Sequence, residues 1–119
     1  MSETLDRNTF DSGDVIFDRG EFPACALLIQ SGSVDIVLNN STQDIIVGTP
    51  EPGGFFGEMS LVDNEPRSAS AIARTPTVCV RVLHHDFEER LEASDPLTRA
   101  TLKLLVKRLR KTIQERKAA

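Results

Sequence analysis

Between Phe10 and Leu83, short apolar runs alternate with polar, glycine-bearing punctuation, a spacing that predicts strands and turns. Val15-Ile16-Phe17 is bracketed by Ser12-Gly13-Asp14 and Asp18-Arg19-Gly20, both turn signals. Ala26-Leu27-Leu28-Ile29 runs into Ser31-Gly32-Ser33. Val34, Ile36 and Leu38 then alternate around Asp35, as in a half-buried strand. Asn39-Asn40-Ser41-Thr42 predicts a hairpin turn and Ile45-Ile46-Val47 the returning strand, after which Pro50-Glu51-Pro52-Gly53-Gly54 excludes regular structure. Two further strands, Ala69 to Ala73 and Val78 to Leu83, flank a turn at Arg74-Thr75-Pro76-Thr77. Residues 1–8 are polar and read as a loose arm or a short helix. Strands at this spacing predict a sandwich or a jelly-roll type barrel.

From Asp86 the period changes. Phe87 and Leu91 are i,i+4 partners on a short acidic helix, and Ser94-Asp95-Pro96 is a start signal for the next one. At 100° per residue, Leu97, Ala100, Leu102, Leu104, Leu105, Val106, Leu109 and Ile113 cover a very broad arc. Arg99, Lys103, Lys107, Arg110, Lys111 and Lys117 take the other side. So wide an arc predicts two buried contacts, one to the strands and one elsewhere. Leu102, Leu105, Leu109 and Thr112/Ile113 step by three and four as a short coiled-coil seam, and Arg108 falls inside the apolar arc.

The totals narrow the class. At 119 residues the chain fits one domain with a core of its own. No apolar run approaches a membrane span, and the N-terminus lacks the zones of a signal peptide. Cys25 and Cys79 have no close-spaced partners, so a reduced, cytoplasmic setting is expected. The net charge of −4 hides a split: from Arg99 onward eight basic side chains face one acid (+7), and the 98 residues before carry six basic and seventeen acidic ones (−11). Such a tail either lies against the body or meets an acidic partner.

The candidate chemistry sits in Phe55-Phe56-Gly57-Glu58-Met59-Ser60-Leu61-Val62-Asp63-Asn64-Glu65-Pro66-Arg67-Ser68-Ala69-Ser70. Gly57 permits a tight turn or close approach of a ligand, and Glu58 to Leu61 has room for about one helical turn. Arg67 offers a planar fork of donors suited to phosphate, with hydroxyls from Ser68 and Ser70 beside it. Glu58 would repel a phosphate, and a sugar hydroxyl is its natural partner. The plain alternative is a surface loop with a solvated Glu and Arg. Other chemistry is weaker: His84-His85 has no third ligand close in sequence, the spaced His-x-His and Glu set of a metal-binding cupin is missing, and no Ser-His-Asp or Walker-type pattern stands out. Catalysis and a metal site are not expected.

The run Phe-Gly-Glu-Met-Ser-Leu followed by Pro-Arg-Ser-Ala-Ser resembles the phosphate-binding cassette of cyclic nucleotide-binding domains, as in the catabolite activator protein and the regulatory subunits of cyclic-AMP-dependent kinase. Phe10 to Phe17, Gly20-Glu21 and Leu28 to Val34 are similar to that family's glycine-punctuated β-roll. Pro50 and Gly54 depart from it, where an apolar residue and an acid are common.

The resemblance implies an α+β fold, mainly β with helices: a jelly-roll-like antiparallel β-roll with a short N-terminal segment and C-terminal helices. A single domain would cover 1–119, with the roll at about 9–84, the cassette at 55–70 and helices at 86–93 and 95–117. It implies a stand-alone sensor of cyclic AMP, or alternatively cyclic GMP, that signals to an unidentified effector protein and needs no cofactor. Glu58 would hold the ribose, and Arg67 and Ser68 the cyclic phosphate, helped by the Gly57, Glu58, Met59 and Ser60 backbone and by Ala69. Ile36 and Val47, on paired strands, would touch the base. By correspondence with the long helix of the activator protein, Arg108 and Thr112 would close over it. A homodimer through the C-terminal helix is a further partner expectation, whereas direct DNA binding is not expected. The rival expectation is a ligand-independent module that binds a protein or membrane through the basic helix.

Overall fold

The computed structural model describes residues 6–22, 24–39 and 43–118. Two four-stranded antiparallel sheets face each other. One has the order β1-β8-β3-β6 and the other β2-β7-β4-β5. The first sheet comprises β1 (Arg7–Phe10), β3 (Cys25–Ser31), β6 (Phe55–Phe56) and β8 (Thr77–Leu83). The second comprises β2 (Val15–Phe17), β4 (Val34–Asn39), β5 (Asp44–Gly48) and β7 (Ser70–Ala73). This is the α+β β-roll that the strand spacing and the resemblance predict. Its core lies between the sheets, where Phe17, Cys25, Leu27, Ile29, Val34, Phe56, Ala71 and Cys79 exclude water.

Three local readings change. Of the polar start, residues 1–5 lie outside the described residues, and residues 6–8 are tied to the sheet: Arg7 pairs with Val80 across β1 and β8, and Asp6 forms an ion pair with Arg81. Polar residues suit an edge strand, where one backbone edge and many side chains meet solvent. Phe55-Phe56 is a strand on the edge of β3, too short to show a period. The alternation of Val34, Ile36 and Leu38 breaks at a bulge between Ile36 and Val37, which leaves Val34, Val37 and Leu38 buried and Ile36 half-buried. The expected turn at 39–42 falls mostly outside the described residues.

Three helices cover the roll: α1 (Met59–Asp63), α2 (His84–Ala93) and α3 (Pro96–Ala118). Helix α2 begins two residues earlier than Asp86 because His84 N–H is held by the Ala24 carbonyl at 3.0 Å. Leu91 is its buried anchor. Asp95 caps α3 by accepting from the N–H groups of Leu97 and Thr98 at 3.0 and 3.1 Å. Among the described residues no helix is long and apolar enough to cross a membrane.

Helix α3 does not bury the arc its leucines suggest. The stripe turned inward is Arg99, Leu102, Val106, Arg110 and Ile113, with Val106 buried and the others half-buried. Leu97, Leu104, Leu105 and Leu109 are exposed. The reason is electrostatic: Arg110 finds acceptors on α1, so a charged residue joins the docking face and the stripe rotates toward it.

Candidate functional site

The turn from β6 into α1 and the chain entering β7 enclose a cavity of about 270 Å³. Gly57, Glu58, Met59, Ser60, Arg67, Ser68 and Ala69 line it, joined by Phe17, Ile36, Pro50, Phe55 and Phe56. Eight of the eleven anticipated site residues are therefore brought together. Val47 lies in the same sheet but does not line the cavity: Ile36 pairs with Gly48 and Val37 with Ile46, leaving Val47 as the extra, unpaired residue of the bulge. Arg108 and Thr112 are exposed on α3 and line no part of it, and the Thr112 hydroxyl donates to the Arg108 carbonyl at 3.2 Å. The expectation of a half-buried Arg108 is corrected, since the inward arginine is Arg110.

Arg67 is the centre of the site. Its side chain is buried, with only 6% of the residue exposed. One terminal nitrogen donates to the Gly57 carbonyl at 2.7 Å and the other to the Cys25 carbonyl, while the buried Nε has no partner. Its carbon Cζ lies 4.1 Å from the centroid of the Phe17 ring. Burial pushes the guanidinium pKa down, Cys25, Glu21 and Glu58 hold it up, and Arg110 lowers it slightly. The group nevertheless stays a cation, because arginine does not lose its proton in proteins. Among the described residues no carboxylate lies within ion-pair distance of it.

The backbone around Arg67 is stitched to the turn after β2. Its N–H donates to the Glu21 carbonyl and its carbonyl accepts from Gly20 N–H, each at 2.8 Å. The Ser70 hydroxyl, expected to face an anion, is instead buried and accepts from Arg19 N–H at 3.0 Å. Gly57 has a φ of +79°, and a Cβ there would sit 2.8 Å from an Arg67 nitrogen and 3.3 Å from the Phe17 ring. The glycine thus serves the arginine's seat as well as the turn.

Glu58 occupies the N-cap of α1 but makes no capping bond, and among the described residues its half-buried carboxylate accepts no hydrogen bond. An acceptor without a donor and a cation without an anion therefore line one cavity whose remaining wall is largely apolar. That combination suits a small ligand with an anionic group, a hydroxyl and an apolar body.

Besides the apolar lining from Pro50, Phe55 and Phe56, sequence reasoning missed three contributors around the polar groups: Phe17 against Arg67, the Cys25 carbonyl, and Arg110 bonded to α1. Arg110 donates to both carboxylate oxygens of Asp63, to the Ser60 hydroxyl at 3.1 Å and to the Pro66 carbonyl at 3.1 Å. The available signal was Arg110 standing four residues from the apolar Val106, on the same helix face. Elsewhere, the early start of α2 puts donor atoms of His85, Asp86 and Glu89 within 4.8 Å of one another. This corrects the expectation that no third donor lies near the histidine pair. All three residues are exposed, a common arrangement on solvated helices.

Residues 7–94 match the cyclic nucleotide-binding domain family. A cAMP-dependent protein kinase regulatory subunit from Candida albicans is 35% identical over 75 residues, which make up 63% of this chain and 16% of that protein. The cAMP-bound structure of the EAL enzyme Bd1971 superposes with a TM-score of 0.87 at 31% identity, covering 90% of this chain and 29% of that one. The catabolite activator protein of Thermus thermophilus superposes with a TM-score of 0.72 at 30% identity, covering 93% of this chain and 53% of that one. The chain thus spans well under two thirds of the length of each.

Proposed function

From the premise that this chain belongs to the cyclic nucleotide-binding domain family, we propose that it is a regulatory sensor that binds cyclic AMP in preference to cyclic GMP and performs no catalysis. The observation that carries this reading is the buried Arg67 sharing a cavity with Glu58, the first with no carboxylate partner and the second with no hydrogen bond among the described residues. A cyclic phosphate supplies the missing anion and a ribose hydroxyl the missing donor. The Ser68 hydroxyl and the backbone of Met59, Ser60 and Ala69 would complete the polar wall, and Ile36, Pro50 and Phe55 would face the base. Charge-assisted hydrogen bonds contribute about 1.5–3 kcal/mol each. Three such contacts with an apolar base pocket approach the roughly 8 kcal/mol of micromolar binding.

The preference for cyclic AMP rests on Ser68. In the family a threonine at this place favours guanine, and serine lacks the methyl that fixes the hydroxyl, so discrimination is modest. Both a cAMP-bound and a cGMP-bound form of Bd1971 superpose on this chain, with TM-scores of 0.87 and 0.85. Ligand-dependent movement of α3 would carry the signal to an effector protein. In that movement Arg108 and Thr112, exposed here, would approach the base, and Val47 would follow if the bulge shifts. The two free, buried thiols of Cys25 and Cys79 favour a reducing, cytoplasmic setting.

Calorimetric titration with cyclic AMP and cyclic GMP tests the reading. Micromolar binding of at least one is expected, with cyclic AMP the tighter. Arg67→Ala should abolish it and Arg67→Lys should lose much of it, because a point charge cannot replace a planar fork. Undiminished binding by the alanine variant would sink the assignment, and cyclic GMP bound tenfold tighter would reverse the preference.

A further inference from the structure

A buried guanidinium without a carboxylate partner must have its charge stabilised by something else while the site waits for its anion. The two carbonyls of Gly57 and Cys25 engage one hydrogen on each terminal nitrogen, and Nε–H remains unbonded. The Phe17 ring lies against the cation, with Cζ 4.1 Å from its centroid. Phe17 is itself fixed: it is 8% exposed, belongs to the core, and packs on Phe56 with ring centroids 5.9 Å apart. Gly57 completes the seat, since its missing Cβ leaves room for both the ring and the guanidinium.

We infer that Phe17 is a positioning residue for anion recognition, acting through Arg67. Resting on the proposed nucleotide-binding reading, this adds the group that keeps the arginine ready for phosphate. A ring face attracts a cation through its quadrupole and does so without using an N–H donor. An acidic side chain in the same place would occupy the fork and repel phosphate. The aromatic seat therefore keeps the charge buried and oriented while donors stay available along the guanidinium edge. It also reduces the rotamer entropy lost when the anion arrives. Because the effect passes through the phosphate-binding arginine, it is independent of the base.

The test uses the full chain and three probes: cyclic AMP, cyclic GMP and base-free ribose 3′,5′-cyclic phosphate. In Phe17→Leu, affinity for all three should fall in parallel, by about tenfold. Phe17→Tyr, which keeps the ring, should restore most of it. Trifluorination of the Phe17 ring, which drains the π face at nearly constant shape, should weaken binding in the same base-independent way and decides the matter if the leucine variant does not fold. A purely structural role would leave the fluorinated protein at wild-type affinity. Ring-face shielding should also move the Arg67 Nε–H proton resonance upfield, and the shift should diminish in Phe17→Leu. Unchanged affinity in the fluorinated protein, or loss confined to the two base-containing probes, overturns the inference. If the unaltered protein binds none of the probes, the nucleotide reading fails, while the Arg67 Nε–H shift still decides whether the ring holds the cation.

Discussion

Arg110 is where the long helix is fastened to the candidate site, and its removal has a calculable consequence. Its guanidinium bonds both oxygens of Asp63, the Ser60 hydroxyl and the Pro66 carbonyl, so it spans both ends of the segment that leads into Arg67. The two paired side chains are 18% and 23% exposed. That places the pair between an exposed bridge, worth about 0–1 kcal/mol, and a fully buried one, whose breakage costs about 3–5 kcal/mol. In Arg110→Ala, Asp63 keeps only the Glu65 N–H at 3.1 Å, so the expected loss is about 2–3 kcal/mol. Because α3 packs mainly on α1, the loss should appear first as local undocking rather than global unfolding. Amide exchange in the last turns of α3 should accelerate by roughly 30- to 150-fold at those energies. A double-mutant cycle with Asp63→Ala should return a coupling of at least about 1 kcal/mol. Exchange within threefold of the unaltered protein, with additive single mutants, would refute the claim that this clasp docks the helix.

Two further outcomes follow from the geometry. Gly57→Ala should cost about 1–2 kcal/mol through its φ of +79° and its Cβ contact with Arg67, lowering the melting temperature and weakening nucleotide binding at least tenfold together. Burial raises the Cys79 thiol from 9.0 to about 11, so between those two values the unfolded chain loses a proton that the folded chain keeps. Stability measured by urea denaturation should therefore fall as pH rises from 9 toward 11. Both cysteines should also resist alkylation at pH 8 until the protein is unfolded, because they are buried.

The roll and most of the cavity wall were legible because their signals are local. Glycine and turn residues set the strand spacing, and the cassette carries Gly57, Glu58 and Arg67 within one short stretch. What escaped depends on residues distant in sequence. Phe17 reaches Arg67 from fifty positions earlier in the chain, and nothing in Val15-Ile16-Phe17 separates a ring serving a cation from one serving the core. The bulge at Ile36 and Val37 arises from pairing with β5, so Val47 could not be excluded from the wall by counting alternation. On α3 a hydrophobic count misplaces the docking face, since four exposed leucines outnumber buried Val106. The face is set by Arg110 and its acceptors on α1, which no periodicity reports.

These misses share a cause, which also explains how the site stays open. A carboxylate near Arg67 would have been the obvious way to bury it, and a charge-assisted bond of that kind contributes about 1.5–3 kcal/mol. A phosphate would then have to displace it, losing roughly ten- to a hundredfold in affinity. The fold instead gives Arg67 neutral hydrogen-bond and ring contacts, two carbonyls and Phe17, and pairs Asp63 of α1 with Arg110 of α3. Asp63 is thereby occupied, and Glu58 stays unbonded at the cavity wall. The affinity of the cavity for an anion depends as much on where the carboxylates are held as on the arginine itself.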